Sequence, residues 1–366
     1  MTLEARLCLV LVAATVGGCS RPRGFAKCTP PVINALDLPT AQARYPRLSD
    51  LCLVDTAADQ SLTINPSATA YELTTPLFSD YALKDRAVWM PPGHKATYSA
   101  DQPFTFPIGT FLVKSFSFAP DLTKPTAGRY VVETRVLVNT TTGWLALPYV
   151  WNADKSEALL DPAGSVSSFD FTSPDGTALH ANYLLPSSAQ CQQCHITSDV
   201  MHPIGPKARL LNRDHVYADG STENQLDRWS RLGLLDGAPP SATAPRLATW
   251  DDPTSGTVEE RARAWLETNC AHCHNQGGLA RTTGLFLGID EPNPGVCKSP
   301  VAAGQASGGF RYDVVPGQPE NSILVFRIES TKPAIMMPEV GRSVVETEAT
   351  KLIRDWIAGL PIVVCQ

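Results

Sequence analysis

The sequence predicts an α+β chain: a β-sandwich-like N-terminal domain followed by two mainly α-helical modules, each built around a CxxCH pentapeptide. Three observations carry this reading. Runs of β-branched and aromatic residues crowd residues 50–186, the pentapeptides Cys191–His195 (CQQCH) and Cys270–His274 (CAHCH) both fall after that region, and apolar stripes at the helical period follow them. The 31 prolines and 25 glycines favour short elements and many turns, which argues against an all-helical bundle. A formal net charge of -6 with no Lys/Arg cluster sets nucleic-acid binding aside.

Residues 1–18 join a weakly charged start, an apolar run from Leu7 to Val16 and two small residues. The run is too short to span a bilayer comfortably. Its end, Val16-Gly17-Gly18-Cys19, resembles the lipobox of bacterial lipoproteins, which implies cleavage before Cys19 and acylation of that cysteine. Ser20 after it is similar to lipoproteins sent to the outer membrane. The expected location is the periplasmic side of the envelope, lipid-anchored, an oxidising compartment.

Residues 19–49 read as a tether and 50–186 as the β-rich domain. Phe104–Phe118 and Arg129–Val138 carry strand patterns, Asn139–Gly143 is a turn, and Trp144–Trp151 returns as a partner strand. Ser173–Gly176 turns a further hairpin between Phe169–Phe171 and the run ending at Leu185. Pro76–Arg86, with Asp80, Lys84, Asp85 and Arg86, reads as a solvated charged loop.

Residues 187–236 form the first module, where Leu226, Trp229 and Leu232 share one face of a short helix. The Pro/Ala/Thr/Ser-rich stretch 237–256 is a linker. In the last unit, 257–366, a capping box of Thr257 and Glu260 opens a helix that runs into the second pentapeptide. Pro319 starts another helix, and Ala349, Leu352, Ile353, Trp356, Ile357 and Leu360 form the stripe of a closing one.

Of the ten cysteines, Cys8 and Cys19 belong to the N-terminal segment and four to the pentapeptides. Cys28, Cys52, Cys297 and Cys365 are expected as disulfides, with three connectivities open. Pairing within each unit favours Cys28 with Cys52 and Cys297 with Cys365.

The chemistry of CxxCH is covalent: two thiols add across the vinyl groups of haem, and the adjacent histidine ligates the iron from one side. Cys191, Cys194, Cys270 and Cys273 are the expected tethers of two covalently bound haem c groups, with His195 and His274 as ligands. Two CxxC pairs also match a four-ligand zinc site, although zinc does not require a histidine directly after each pair.

A helix entering CxxCH, Met-Pro in a later loop and a closing amphipathic helix resemble a class I-type cytochrome c domain over 257–366. The wider pattern, including TPLFSDYALKDRAVWMPPG, NYLLPSSAQCQQCH, NCAHCHNQGG and MMPEVGR, resembles a family of bacterial dihaem c-type cytochromes, exported and often lipoproteins. The resemblance implies two mainly α-helical cytochrome c haem modules, with Met337 as second axial ligand of the second haem and Met336 its rival. For the first haem the distal position stays open among Met90, His94, His180, Met201, His202, His215 and no protein ligand. Lys207 and Arg209 are candidate partners of haem propionates, with a plain surface pair as the other reading.

Three functions follow. The first is one-electron transfer between periplasmic redox partner proteins. The second is a peroxidase-like oxidoreductase with an open catalytic haem at Cys191/His195. The third is a zinc-holding binding protein.

Overall fold

The computed structural model describes Phe25 and residues 28–57, 59–301 and 303–366. Residues 1–18 and Cys19, with their expected cleavage and acylation, lie outside the described residues. Among the described residues no helix is long and apolar enough to cross a membrane.

The centre of the molecule is one six-stranded antiparallel sheet laid down in chain order: β1 (Thr69–Ala70), β2 (Leu83–Trp89), β3 (Phe111–Phe118), β4 (Tyr130–Thr140), β5 (Gly143–Trp151) and β6 (Ala158–Leu160). Alternation along the strands divides the side chains between two faces. On one face Trp89, Phe111, Val113, Val136, Val138, Leu147 and Tyr149 pack against Leu36, Leu48, Leu51 and Leu53. On the other, Val88, Met90 and Leu112 meet Leu210, Leu211, Leu226, Trp229 and Ala264. A two-stranded ribbon, β7 (Ser165–Thr172) and β8 (Ala178–Leu185), sets Tyr183 and Leu185 against Phe116, Phe118 and Val132.

Two corrections to the predicted fold class follow. The β-rich domain is not two stacked sheets: N-terminal chain and a helical segment cover the single main sheet. Residues 28–49, read as tether, thus help to build its core, with α1 (Leu38–Arg44) placing Ala41 in it. Nor is the remainder two mainly α-helical cytochrome c modules. Of the described residues 25% are strand and 21% helical, in seven α-helices.

The physical reason lies in where the apolar groups go. In 187–236 the helices α2 (Ser188–His195), α3 (Ala208–Leu211) and α4 (Gln225–Arg231) are short, and Leu226 and Trp229 bury against the main sheet rather than against a core of their own. In 257–366 there are three helices, α5 (Val258–Asn269), α6 (Ile323–Glu329) and α7 (Thr347–Gly359), joined by long irregular chain. The stripe of α7 packs Ala349, Leu352, Ile353, Trp356 and Ile357 on Ala262, Trp265 and Leu266 of α5. The Thr257–Glu260 capping box forms as expected.

The units are tied together. Asn212 Nδ2 donates to the carbonyls of Ser241 and Ala244, and Thr75 Oγ1 to that of Ala248, so the Pro-rich stretch 237–256 is pinned along its length. Asp80, fully buried, accepts from the backbone N–H groups of Ser343 and Val344 at 2.6 and 2.9 Å. The expected solvated loop at Pro76–Arg86 is therefore an internal clamp followed by a strand. Disulfides join Cys28 to Cys52 and Cys297 to Cys365.

Candidate functional site

The first pentapeptide occupies α2, opened by a capping box in which Ser187 Oγ accepts from Gln190 N and Gln190 Oε1 accepts from Ser187 N. The helix stops at Ile196, and Ile196–Thr197 pairs with Val200–Met201 across a turn in which Ser198 and Asp199 adopt φ of 50° and 62°. Asp tolerates this left-handed region better than most residues. The hairpin returns His202 to His195: His202 N donates to His195 O, and His195 Nδ1 lies 2.8 Å from His202 O.

The second pentapeptide begins at the C-cap of α5 and continues as a tight turn in which His274 N donates to Cys270 O at 2.9 Å. His274 Nδ1 lies 3.1 Å from Leu285 O. Different local structures thus give the two histidines one arrangement. Opposite a carbonyl, Nδ1 carries the proton, and Nε2 keeps its lone pair for a metal. Burial lowers the pKa of both rings to about 4, so they are neutral at pH 7 with Nε2 free to act as a donor. This donor set fits the axial position of a haem tethered through the preceding cysteines.

The motifs also touch one another. Ser198 N donates to Gly277 O at 2.8 Å. A Cβ on Gly277 would stand 2.7 Å from Ser198 Oγ and 2.9 Å from Thr197 Cγ2, which explains glycine there. Sγ of Cys194, Sγ of Cys273 and a ring nitrogen of His272 lie within 4.8 Å of one another. The neighbouring Cys273, and then His272, lowers the pKa of Cys194, while the proximity of Cys194 raises that of Cys273. Burial raises Cys191 to about 11 and Cys270 to about 12. All four remain free cysteines.

Two cavities border the motifs. One, about 900 Å³, is lined by His195, His274, Cys194 and His272, with Met201, His202, Trp144 and Phe286 among its walls. That size is at the upper end for a ligand or cofactor, roughly 300–1,000 Å³. The other, about 170 Å³, lies between Cys191, Cys194 and His195 and the sheet residues Arg86, Lys114 and Arg135, closed on one side by Pro338, Val340 and Gly341.

The remaining predicted residues scatter. Met337, like Met336, lines neither cavity, although its following residues close the smaller one. Its backbone is held by Arg342, whose Nε and Nη2 donate to Met337 O. Met201 and His202 are at the larger cavity. Met90 is buried in the core, His94 is exposed beside Pro92 O, and His180 pairs with Asp170 on the outer ribbon. His215 packs edge-on to Tyr217. Lys207 and Arg209 line the larger cavity but already pair with Glu267 and with Asp101 and Asp290.

Sequence reading missed His272, inside the second pentapeptide, and the basic residues Arg86, Lys114 and Arg135 of the sheet. The first signal was present, since CAHCH offers two histidines. The second needed the strand register. Comparison with protein-family models, with curated proteins and with solved structures returned no match for the chain.

Proposed function

We propose that the chain is a dihaem c-type cytochrome, tethered by lipid at Cys19 to the periplasmic side of the envelope, that passes electrons one at a time between redox partner proteins. The observation that carries this reading is the shared arrangement of His195, half-buried, and His274, buried: each ring lines the larger cavity and is tied through Nδ1 to a carbonyl. Four cysteines left free beside two disulfides support it, because thioether tethers need reduced thiols in an oxidising compartment.

In this reading Cys191, Cys194 and His195 hold one haem, and Cys270, Cys273 and His274 the other. Met337 is the proposed second ligand of the latter. Each haem supplies a one-electron iron couple when bound. The protein contributes position, since the contact between the motifs sets the tethers side by side, and partial exclusion of water by the walls of Trp144 and Phe286.

The test is electron exchange with a small cytochrome or copper carrier, together with carbon monoxide binding to the reduced protein. Exchange with no spectral response to carbon monoxide is expected. A response from about half of the haem, with peroxide turnover, replaces electron carriage by the peroxidase-like reading with its open iron at His195.

A second reading is favoured by one observation. Cys194, Cys273 and His272 form a three-ligand cluster of the type zinc takes, and His272 Nδ1 is buried with no hydrogen-bond partner among the described residues. Metal content of protein made without the cytochrome c maturation machinery tests it: one zinc per folded chain supports this reading, and no zinc removes it.

A further inference from the structure

Lys114 of β3 stands in the middle of the main sheet, directly opposite Arg86 of β2 on one side and Arg135 of β4 on the other. Like charges placed in this way destabilise a sheet, and a guanidinium does not give up its proton. The lysine is the member of the row that can. Burial first, and then Arg86, Lys84 and Arg135, push its pKa well below the ordinary value, against a weaker pull from Glu133. The side chain is thereby held toward a neutral amine with a lone pair to donate. No hydrogen bond or ion pair engages its Nζ among the described residues; it rests over the Phe116 ring, 4.7 Å from the centroid.

Lys114 shares its space with the first motif. Of the two cavities, the smaller one is bordered by the complete set of Cys191, Cys194 and His195, and Lys114 is in its wall; the larger lacks Cys191. His195 and Lys114 are within electrostatic reach of each other there. His195 commits Nδ1 to His202 O, which leaves Nε2 as its donor atom. None of the side chains expected as distal ligand at this motif, Met90, His94, His180, Met201, His202 and His215, lines this cavity. His272 does, but a nitrogen of its ring is within 4.8 Å of Cys194 Sγ, against the edge at which a haem would be tethered rather than over its centre. Tyr71 is buried with its pKa pushed up to about 12, so it offers no phenolate, and Arg86 and Arg135 have no lone pair to give.

We infer that Lys114 is the second axial ligand of the haem proposed at Cys191, Cys194 and His195, binding its iron through Nζ. The inference rests on the proposed attachment of that haem and assigns the distal position that the sequence left open. A flexible four-carbon stem lets the amine leave the Phe116 ring and turn to the iron. An iron capped by protein on both sides suits electron transfer rather than peroxide chemistry.

The test uses the matured full chain grown with ¹⁵N-lysine and read by electron–nuclear double resonance on its low-spin ferric signals. A ¹⁵N coupling from an axial amine is expected in the wild type. Lys114→Arg, which keeps a long basic side chain in the row but has no lone pair, should lose that coupling, turn about half of the iron high-spin and let carbon monoxide bind that half after reduction. Lys114→Leu should do the same without the charge. Lys207→Met, at the larger cavity, should keep the coupling. Should neither Lys114 variant mature, the label in the wild type decides alone.

A wild type without the ¹⁵N coupling, or a coupling that persists in Lys114→Arg, overturns the inference. Conversion to high-spin iron in His272→Gln, with the Lys114 variants unaffected, overturns it in favour of that imidazole. If the wild-type chain carries no haem at Cys191 and Cys194, the functional reading fails at that earlier step; haem attached there without a lysine coupling defeats this inference alone.

Discussion

Sγ of Cys194 and Sγ of Cys273, from different CxxCH motifs, lie within 4.8 Å of one another and of a ring nitrogen of His272. The two motifs are therefore parts of one site. Their separation in sequence hides this, and the contact between Ser198 and Gly277 enforces it.

That contact predicts a sensitive position. Gly277→Ala puts a methyl group against Ser198 and Thr197 and should cost about 1–3 kcal/mol, the range for overpacking. Denaturant unfolding checks the stability, and faster alkylation of Cys194 in haem-free protein checks that the loops have parted. Unchanged stability and reactivity would show that the loops separate without cost.

Asp80 makes a second test. Its carboxylate accepts from Ser343 N, Val344 N and Ser343 Oγ, and its φ of 49° suits Asp or Asn. Asp80→Ala leaves the buried N–H of Val344 and the part-buried N–H of Ser343 without partners and should cost about 2–4 kcal/mol. Asp80→Asn, which keeps an acceptor and the backbone preference, should cost less. Equal losses in thermal or urea unfolding would mean that the clamp acts by shape alone.

Arg342 predicts a link between stability and ligation. It is buried and donates to the carbonyls of Arg327, Ser330, Met337 and Val344. Arg342→Gln should cost about 2–4 kcal/mol. It should also weaken the sulfur-to-iron charge-transfer band expected of Met337 ligation. A wild-type band that the variant leaves intact would dissociate Arg342 from the ligand loop.

Glu346 sets a pH dependence. Burial raises its pKa to about 8, against the opposing hydrogen bond from Trp265 Nε1 at 2.8 Å. The folded chain then binds a proton that the unfolded chain, with a pKa near the usual ~4.3, releases. Its stabilising contribution is complete below about 4.3 and is lost as pH rises through about 8. Glu346→Gln should flatten that slope and add about 1–2 kcal/mol at pH 8. Stability curves of the two proteins that stay parallel from pH 5 to 8 would contradict the assignment.

What was legible in the sequence depended on how local the signal is. The pentapeptides, the Thr257–Glu260 cap, the α7 stripe and the hairpin at Asn139–Gly143 are each written within a few residues. The favoured disulfide pairing matches the two bridges found. Non-local partners were not legible: of the expected face of Leu226, Trp229 and Leu232, the first two are buried and Leu232, just past the helix, is exposed, and the sheet that the face covers left no local signal. Arg86, read as part of a charged loop, became a site residue only through its register with Lys114 and Arg135. Helical content was overstated because motifs that begin and end the last unit were extended across the Pro- and Gly-rich chain between them.

The most direct measurement of the central claim is the intact mass and metal content of the full chain purified from cells that possess the cytochrome c maturation machinery. The account predicts two covalently attached haems per chain, one lost in Cys191→Ala/Cys194→Ala and the other in Cys270→Ala/Cys273→Ala. A folded chain with no haem and a single zinc, lost on replacing His272, would contradict it.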